Sequence, residues 1–334
     1  MGKLTKVVAA LTVGALVIFP LWLAQAYAQE NASPLTINTG ESRVHILRAP
    51  ARAKALMPLL ADPGPLVYNG GPIMPKAKTY AIFWLPSKLQ DGTSTFMSSS
   101  YRSLIRRFLT DYPGHGIDNN NTQYYQLTPT IKFIHNAGAF AGAFLDTSPY
   151  PASGCSDAVT PGNCLSDKQI RNEIKKIIAL EGWPVGLTNM FMLFTSLGEG
   201  SCLTDISGTY CAYTDYCGYH GHVGTTAGTA IIYANIPYAD PNYCQSNSVP
   251  SPNSDADADD ATTIVSHELT EAITDPLLNA WYTAQGNEIG DLCAYDYGTL
   301  GWDGGTANQM WNGNFYLVQR EFDNFASACV QVGP

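Results

Sequence analysis

The sequence is poor in charge and poorer still in cations. Only 14% of its 334 residues are charged, and 18 lysines and arginines stand against 28 aspartates and glutamates. So few charges are unusual for a cytosolic protein. A net charge of −10 excludes an ordinary nucleic-acid binder, because nothing in the chain would neutralise phosphates. It also sets the chain against anionic membrane surfaces. Paired CxxC spacings are absent, which argues against a cysteine zinc site. No internal repeat is found. After the N-terminal run, no segment is apolar over the length a membrane crossing needs. Gly198-Glu199-Gly200-Ser201-Cys202 lacks the G-x-S-x-G spacing, so a serine hydrolase has no nucleophile elbow here.

What is present begins with an export signal. Lys3 and Lys6 precede an apolar run from Val7 to Leu23, and Ala26-Tyr27-Ala28 supplies a small-x-small cleavage site. Residues 1–28 therefore read as a secretory signal peptide. Pro20 interrupts the run and favours cleavage over a membrane anchor, leaving a secreted, extracellular protein with no membrane attachment. All eight cysteines follow this segment, and an even count in an exported chain points to disulfides. Cys155 with Cys164, and Cys293 with Cys329, are the expected pairs. Asn31-Ala32-Ser33 and Asn120-Asn121-Thr122 match the glycosylation pattern.

Residues 29–75 are rich in Ala, Pro and Leu without a sustained period, and read as an extended leader or prosegment. Order is expected to begin near Lys78, with 76–334 as a single domain. Thr79 to Leu85 (TYAIFWL), Asn189 to Ser196 and Thr229 to Ile236 read as strands. Thr130 to Ile134 and Phe315 to Val318 are shorter candidates. Ser99 to Tyr112 spaces Tyr101, Leu104, Ile105, Phe108 and Leu109 as a helix does. Ser166-Asp167 caps a second helix that runs to about Leu180. A third runs from about Asp260 to Asp275. This alternation predicts an α/β (α+β) chain, a mixed sheet flanked by helices, followed by an irregular, disulfide-stabilised C-terminal part.

The chemistry concentrates in Ser266-His267-Glu268-Leu269-Thr270-Glu271-Ala272-Ile273-Thr274-Asp275-Pro276. It differs by one residue from the H-E-x-x-H zinc-protease motif, with Glu271 in the second ligand position. On a helix, His267 and Glu271 stack about 6 Å apart, so both can reach one cation. Val265, Leu269, Ala272 and Ile273 share the other face and are expected to pack on the sheet. Glu268 is turned roughly 100° away, where it can address a water on that cation as general base. A third ligand is needed, and Glu288 in Gly286-Asn287-Glu288-Ile289-Gly290-Asp291 can supply it. Asp291 is expected to orient His267 from behind. His220, in the Gly-rich stretch Tyr219-His220-Gly221-His222, is an additional ligand or oxyanion candidate; the alternative is a loop histidine bonded to backbone. His45, His115 and His135 show no partner pattern. A cation here is expected to be zinc. The extra carboxylate also suits a harder ion such as calcium or manganese. The acidic run Asn253 to Asp260 reads either as helix-favouring charge or as an incomplete calcium loop, lacking the central Gly and late Glu.

HELTEAITDP followed by NEIGD resembles the thermolysin-type pattern HELTHAVTD followed by NEAISD. That resemblance implies a zincin-like fold with His267 and Glu288 as ligands and Glu268 as the base. A wider resemblance is to the exordium, or phosphate-induced protein, family of secreted proteins. It is carried by Leu66-Val67-Tyr68-Asn69-Gly70-Gly71-Pro72, Cys217-Gly218-Tyr219-His220, HELTEAITDP, Asn279-Ala280-Trp281-Tyr282, Glu288-Ile289-Gly290-Asp291-Leu292-Cys293 and Phe315-Tyr316-Leu317-Val318-Gln319. It spans roughly residues 66–332 and implies an extracellular protein linked, in plants, to growth and the cell wall. The family shares the H-E-x-x-E form, which makes Glu271 a regular feature.

Two functions compete. One is a secreted metal-dependent endopeptidase acting on protein or peptide, with the Thr229 to Ile236 strand binding substrate by strand addition. The other is a non-catalytic, cell-wall-associated protein with a structural metal, whose aromatic loops around Trp281-Tyr282 and Trp302 to Trp311 contact glycan. A glycoside hydrolase is disfavoured, since Glu268 and Glu271 lie on one helix and do not flank a sugar.

Overall fold

A computed structural model describes residues 35–51, 53, 64–239, 244 and 250–334. The signal peptide and the Asn31 sequon lie outside these. Seven strands form the main sheet: β1 (Thr36–Asn38), β2 (Ser42–Arg48), β3 (Lys78–Trp84), β4 (Ala139–Asp146), β5 (Asn189–Phe194), β6 (Tyr216–Val223) and β7 (Ile231–Ile236), in spatial order β1-β2-β6-β7-β5-β3-β4. The β1, β2, β6 and β7 neighbours pair antiparallel. From β7 through β5 and β3 to β4 the pairing is parallel. The sheet is therefore mixed, as expected. β5 is buried at every position and β3 at all but Lys78, which is why they read as unbroken apolar runs rather than alternations.

Three long helices flank this sheet. In α1 (Ser99–Asp111) the buried residues include the Tyr101, Leu104, Ile105, Phe108, Leu109 set. Helix α2 (Asp167–Glu181) opens on a capping box between Ser166 and Gln169, and closes at Gly182 in the left-handed region (φ 64). Helix α3 (Ala256–Thr274) is buried at every residue from Ala261 to Thr274. It packs on β6, β7 and α1, so beyond its first turn it is a core helix with no solvent face. The acidic run serves its start: Asp255 caps the Ala258 N–H, and Asp259 accepts from Ser251 and Asn253. Among the described residues no helix is long and apolar enough to cross a membrane.

Four disulfides are formed. Cys155–Cys164 and Cys293–Cys329 are the two expected pairs. The second ties the irregular C-terminal part, where short two-stranded ribbons alternate with turns. Cys202–Cys211 and Cys217–Cys244 complete the set.

Five sequence expectations need correction. Order begins by Thr36, not near Lys78: Ile37, Val44, Ile46 and Leu47 are fully buried, and this apolar content seats β1 and β2 in the sheet. The stretch holding His220 is strand β6, not a loop. Strand β7 is consequently not an edge, being paired to β6 on one side and β5 on the other, so it has no free backbone to receive a substrate strand. Asn120 is wholly buried and donates to the Phe322 carbonyl at 3.2 Å, which removes it as a glycosylation acceptor in the folded chain. The expected Thr130 to Ile134 strand shrinks to the exposed pair Lys132–Phe133.

Candidate metal centre

Helix α3 brings both its apolar stripe and its polar side to the sheet. Leu269 and Ile273 pack there as expected, lining a small cavity with Thr79 of β3 and Ala139 of β4 beside Leu109, Tyr112 and Ile134. Gly218 on β6 lies so close to Ile264 and Glu268 that a Cβ there would meet them at 2.6 and 2.8 Å. Successive strand residues point to opposite faces. Tyr219 accordingly reaches Asp167 on the α2 side, while His220 reaches the α3 carboxylates.

His220 lies at the centre of the group. Its Nδ1 is 3.2 Å from Glu268 Oε2 and 3.5 Å from Glu271 Oε2, and its Nε2 is 3.7 Å from Glu288 Oε2. His267 Nε2 is 3.2 Å from Glu271 Oε1. Donor atoms of His220, Glu271 and Glu288 lie within 4.8 Å of one another, as do those of His267, Glu268 and Glu271. The structure thus joins Glu288 to Glu271 through His220 rather than directly through His267. It gives the centre the second histidine that the helix lacks.

Asp291 does not orient His267. It lies 2.7 Å from Nε2 of His45 and accepts from the Glu288 backbone N–H at 2.7 Å. The Gln319 side-chain amide, 3.0 Å from Nδ1 of His267, takes the orienting place instead. Gly290 allows this approach, for a Cβ there would meet His267 Nδ1 at 2.5 Å. His45, Gln319 and Glu321 belong to the group and were not singled out from the sequence. His45 sits in Ser42–Arg48, where Val44 to Leu47 are buried in an unbroken run, so no alternation marks it in the sequence. Gln319 and Glu321 follow the Phe315 to Val318 run. His222 stays apart, with its Nδ1 2.9 Å from the Gly224 carbonyl. His135 is exposed.

The group is sealed. His220, His267, Glu268, Glu271 and Glu321 have no exposed surface, His45 has 1% and Glu288 2%. Burial pushes the carboxyls of Glu268, Glu288 and Glu321 upward, and neighbouring carboxylates add to it at Glu288. Burial pushes His220 well down. At His267 burial acts downward too, but the adjacent Glu271 overrides it and lifts the imidazole to about 10. His45 and Asp291 stabilise each other's charged forms, His45 moving up and Asp291 down, against burial in both cases.

Unpartnered atoms leave the group able to hold a cation. His220 Nε2, His267 Nε2, Glu268 Oε1, Glu271 Oε2, Glu288 Oε2 and Glu321 Oε2 are buried without hydrogen bonds. Each such atom costs about 1–3 kcal/mol, and folded proteins rarely leave several in one place. Imidazole nitrogens with carboxylate oxygens are the donors that zinc accepts. The residues present fit a divalent ion.

The aromatic loops offer little to a glycan. Trp281 and Trp311 are core residues, 6% and 4% exposed, and the Trp281 indole donates to the Tyr125 carbonyl. Trp302 remains exposed.

The family model described as phosphate-induced protein 1 conserved region matches residues 150–330. The Arabidopsis thaliana protein EXORDIUM-like 3 is 28% identical over 196 residues, covering 50% of this chain and 57% of that protein. EXORDIUM-like 5 of the same plant is 25% identical over 221 residues, covering 62% and 60%. The aligned region thus spans under two thirds of either relative. No solved structure matches.

Proposed function

The chain belongs to the phosphate-induced protein 1 family, that of the exordium-like proteins, and on that premise we propose that it is an extracellular protein built around a metal-dependent hydrolytic centre for peptide bonds. Four disulfides support export to an oxidising compartment. The observation that carries the reading is the meeting of His220 with the H-E-x-x-E helix. His220, His267, Glu271 and Glu288 would hold the ion, zinc in the first instance, with Gln319 steadying the His267 ring. A divalent ion at such a site supplies Lewis acidity. Glu268 stands beside that set with one unpartnered oxygen, and its carboxyl takes a proton from water as the water oxygen joins the scissile carbonyl carbon. The same proton passes to the amine nitrogen as the C–N bond breaks. Burial raises the Glu268 pKa above its ordinary value.

A second reading, a purely structural metal in a wall-associated protein, is favoured by the complete enclosure of the centre, since a catalytic site keeps an open position. Elemental analysis separates the outcomes. The purified protein should hold one equivalent of divalent metal, lost in His267→Ala. Glu268→Gln should keep the metal and lose hydrolysis of an unfolded protein substrate. Metal in neither protein rejects the centre, while metal without hydrolysis in either protein leaves the structural reading.

A further inference from the structure

The enclosure has a specific cause. The outer edge of β6 is covered by β2, which lies antiparallel to it from Ser42 opposite Val223 to Arg48 opposite Tyr216. The strand passes directly across the acidic group. His45 stands opposite His220, their rings 5.8 Å apart, and reaches Asp291 at 2.7 Å and Glu288 at 3.5 Å. Two residues on, the Leu47 backbone lies close enough to the Glu268 carboxylate to favour its charged form. These are the contacts of a bound extended peptide: a main-chain ladder on a sheet edge with alternate side chains sunk into a site.

Strand β6 is built for close approach by another backbone. A Cβ at Gly221 would meet the Arg43 carbonyl oxygen at 2.5 Å and Val44 Cγ1 at 2.7 Å. Glycine inside a strand marks such approaches. The remaining sheet, β6-β7-β5-β3-β4, is formed entirely by residues from Lys78 onward.

We propose that the β6 edge and the acidic group form a groove for an extended peptide, and that residues 42–48 are its resident occupant, an intramolecular strand that holds the centre closed. The groove takes a polypeptide in strand conformation, with an imidazole at the His45 register and apolar residues around it. Its hydrolytic consequence rests on the metal reading above; peptide capture does not.

The test uses the full chain. Ile46 is fully buried and points away from the α3 carboxylates, so Ile46→Asp should expel β2, His45 with it, while leaving the site residues of α3 and β6 in place. A fluorescein-labelled peptide of residues 35–48 should then bind at least about tenfold more tightly than to wild type, by anisotropy. The same peptide with His45→Ala should lose about tenfold. Equal binding to both proteins, or equal binding of a scrambled peptide, overturns the proposal. Hydrogen exchange of the wild type guards against a variant that does not fold. Amides of 42–48 should exchange through a partial opening, ahead of 189–194 and 231–236. Exchange of all three together, only on global unfolding, makes β2 an integral strand and also overturns it. Capture failing in a metal-loaded protein rejects the groove alone; absence of metal rejects the centre and leaves capture to its own result.

Discussion

Strand β6 separates two buried polar groups that solve the same problem differently. On the α2 face, Asp167 accepts from Arg171 Nε at 2.7 Å, Tyr233 at 2.6 Å, Thr39 at 2.9 Å and Tyr219 at 3.1 Å. Its charge is paired and its oxygens are occupied. On the α3 face, five carboxylates from Glu268, Glu271, Glu288, Asp291 and Glu321 share three imidazoles and a glutamine, with six buried atoms unpartnered. Burial is nearly complete in both. A closed network of this kind needs nothing further to be neutral and satisfied, whereas the second group needs protons or a cation. That contrast separates a closed polar network from one left open to a proton or a cation.

The contrast breaks most sharply at Asp167. Asp167→Ala leaves the 3%-exposed Arg171 without its buried partner, and should cost about 3–5 kcal/mol of stability in urea unfolding. It should not change bound metal. Chelation is the converse experiment. Removing a metal present at about 100 times its dissociation constant should lower the wild-type stability by about 2.7 kcal/mol. The Glu271→Gln variant, deprived of the carboxylate common to the three histidine-containing candidate groups, should show little response. A chelator that shifts both proteins equally, or neither, removes the distinction between the two faces.

Much of the architecture was legible from local pattern. The three long helices announced themselves through 3.6-residue spacing and, at Ser166, a capping box. Strands β3, β5 and β7 were readable as apolar runs. Strands β2, β4 and β6 were not. β4 is mostly Ala, Gly and Phe, and β6 carries two glycines; in sequence, glycine argues for a loop, while here it permits backbone contact. The H-E-x-x-E residues and Glu288 were visible because short helical spacing and a recurring motif connect them. His45 was invisible as a site residue, since its partner Asp291 lies 246 positions away. The role given to Asp291 failed for the same reason: the sequence offered no sign that His45 would claim it and leave His267 to Gln319.

A third way of burying a carboxylate sharpens the comparison with the smallest effect. Glu199 has no exposed surface, one hydrogen bond from Gln90 Nε2 at 2.9 Å, and Oε2 unpartnered. It has neither the counter-ion of Asp167 nor the convergent donors of the α3 face. Burial raises its pKa from 4.5 to about 8, so it meets the cost with a proton. The folded state then binds this proton more tightly than the unfolded one. Stability from this group is full below about pH 4.5 and is lost as pH rises toward about 8, with a slope of at most about 1.4 kcal/mol per pH unit. Glu199→Gln should flatten that part of the profile when the midpoint of thermal unfolding is followed between pH 5 and 8. An unchanged slope would mean that Glu199 is ionised in the fold, and that a buried carboxylate here can do without ion, partner or proton.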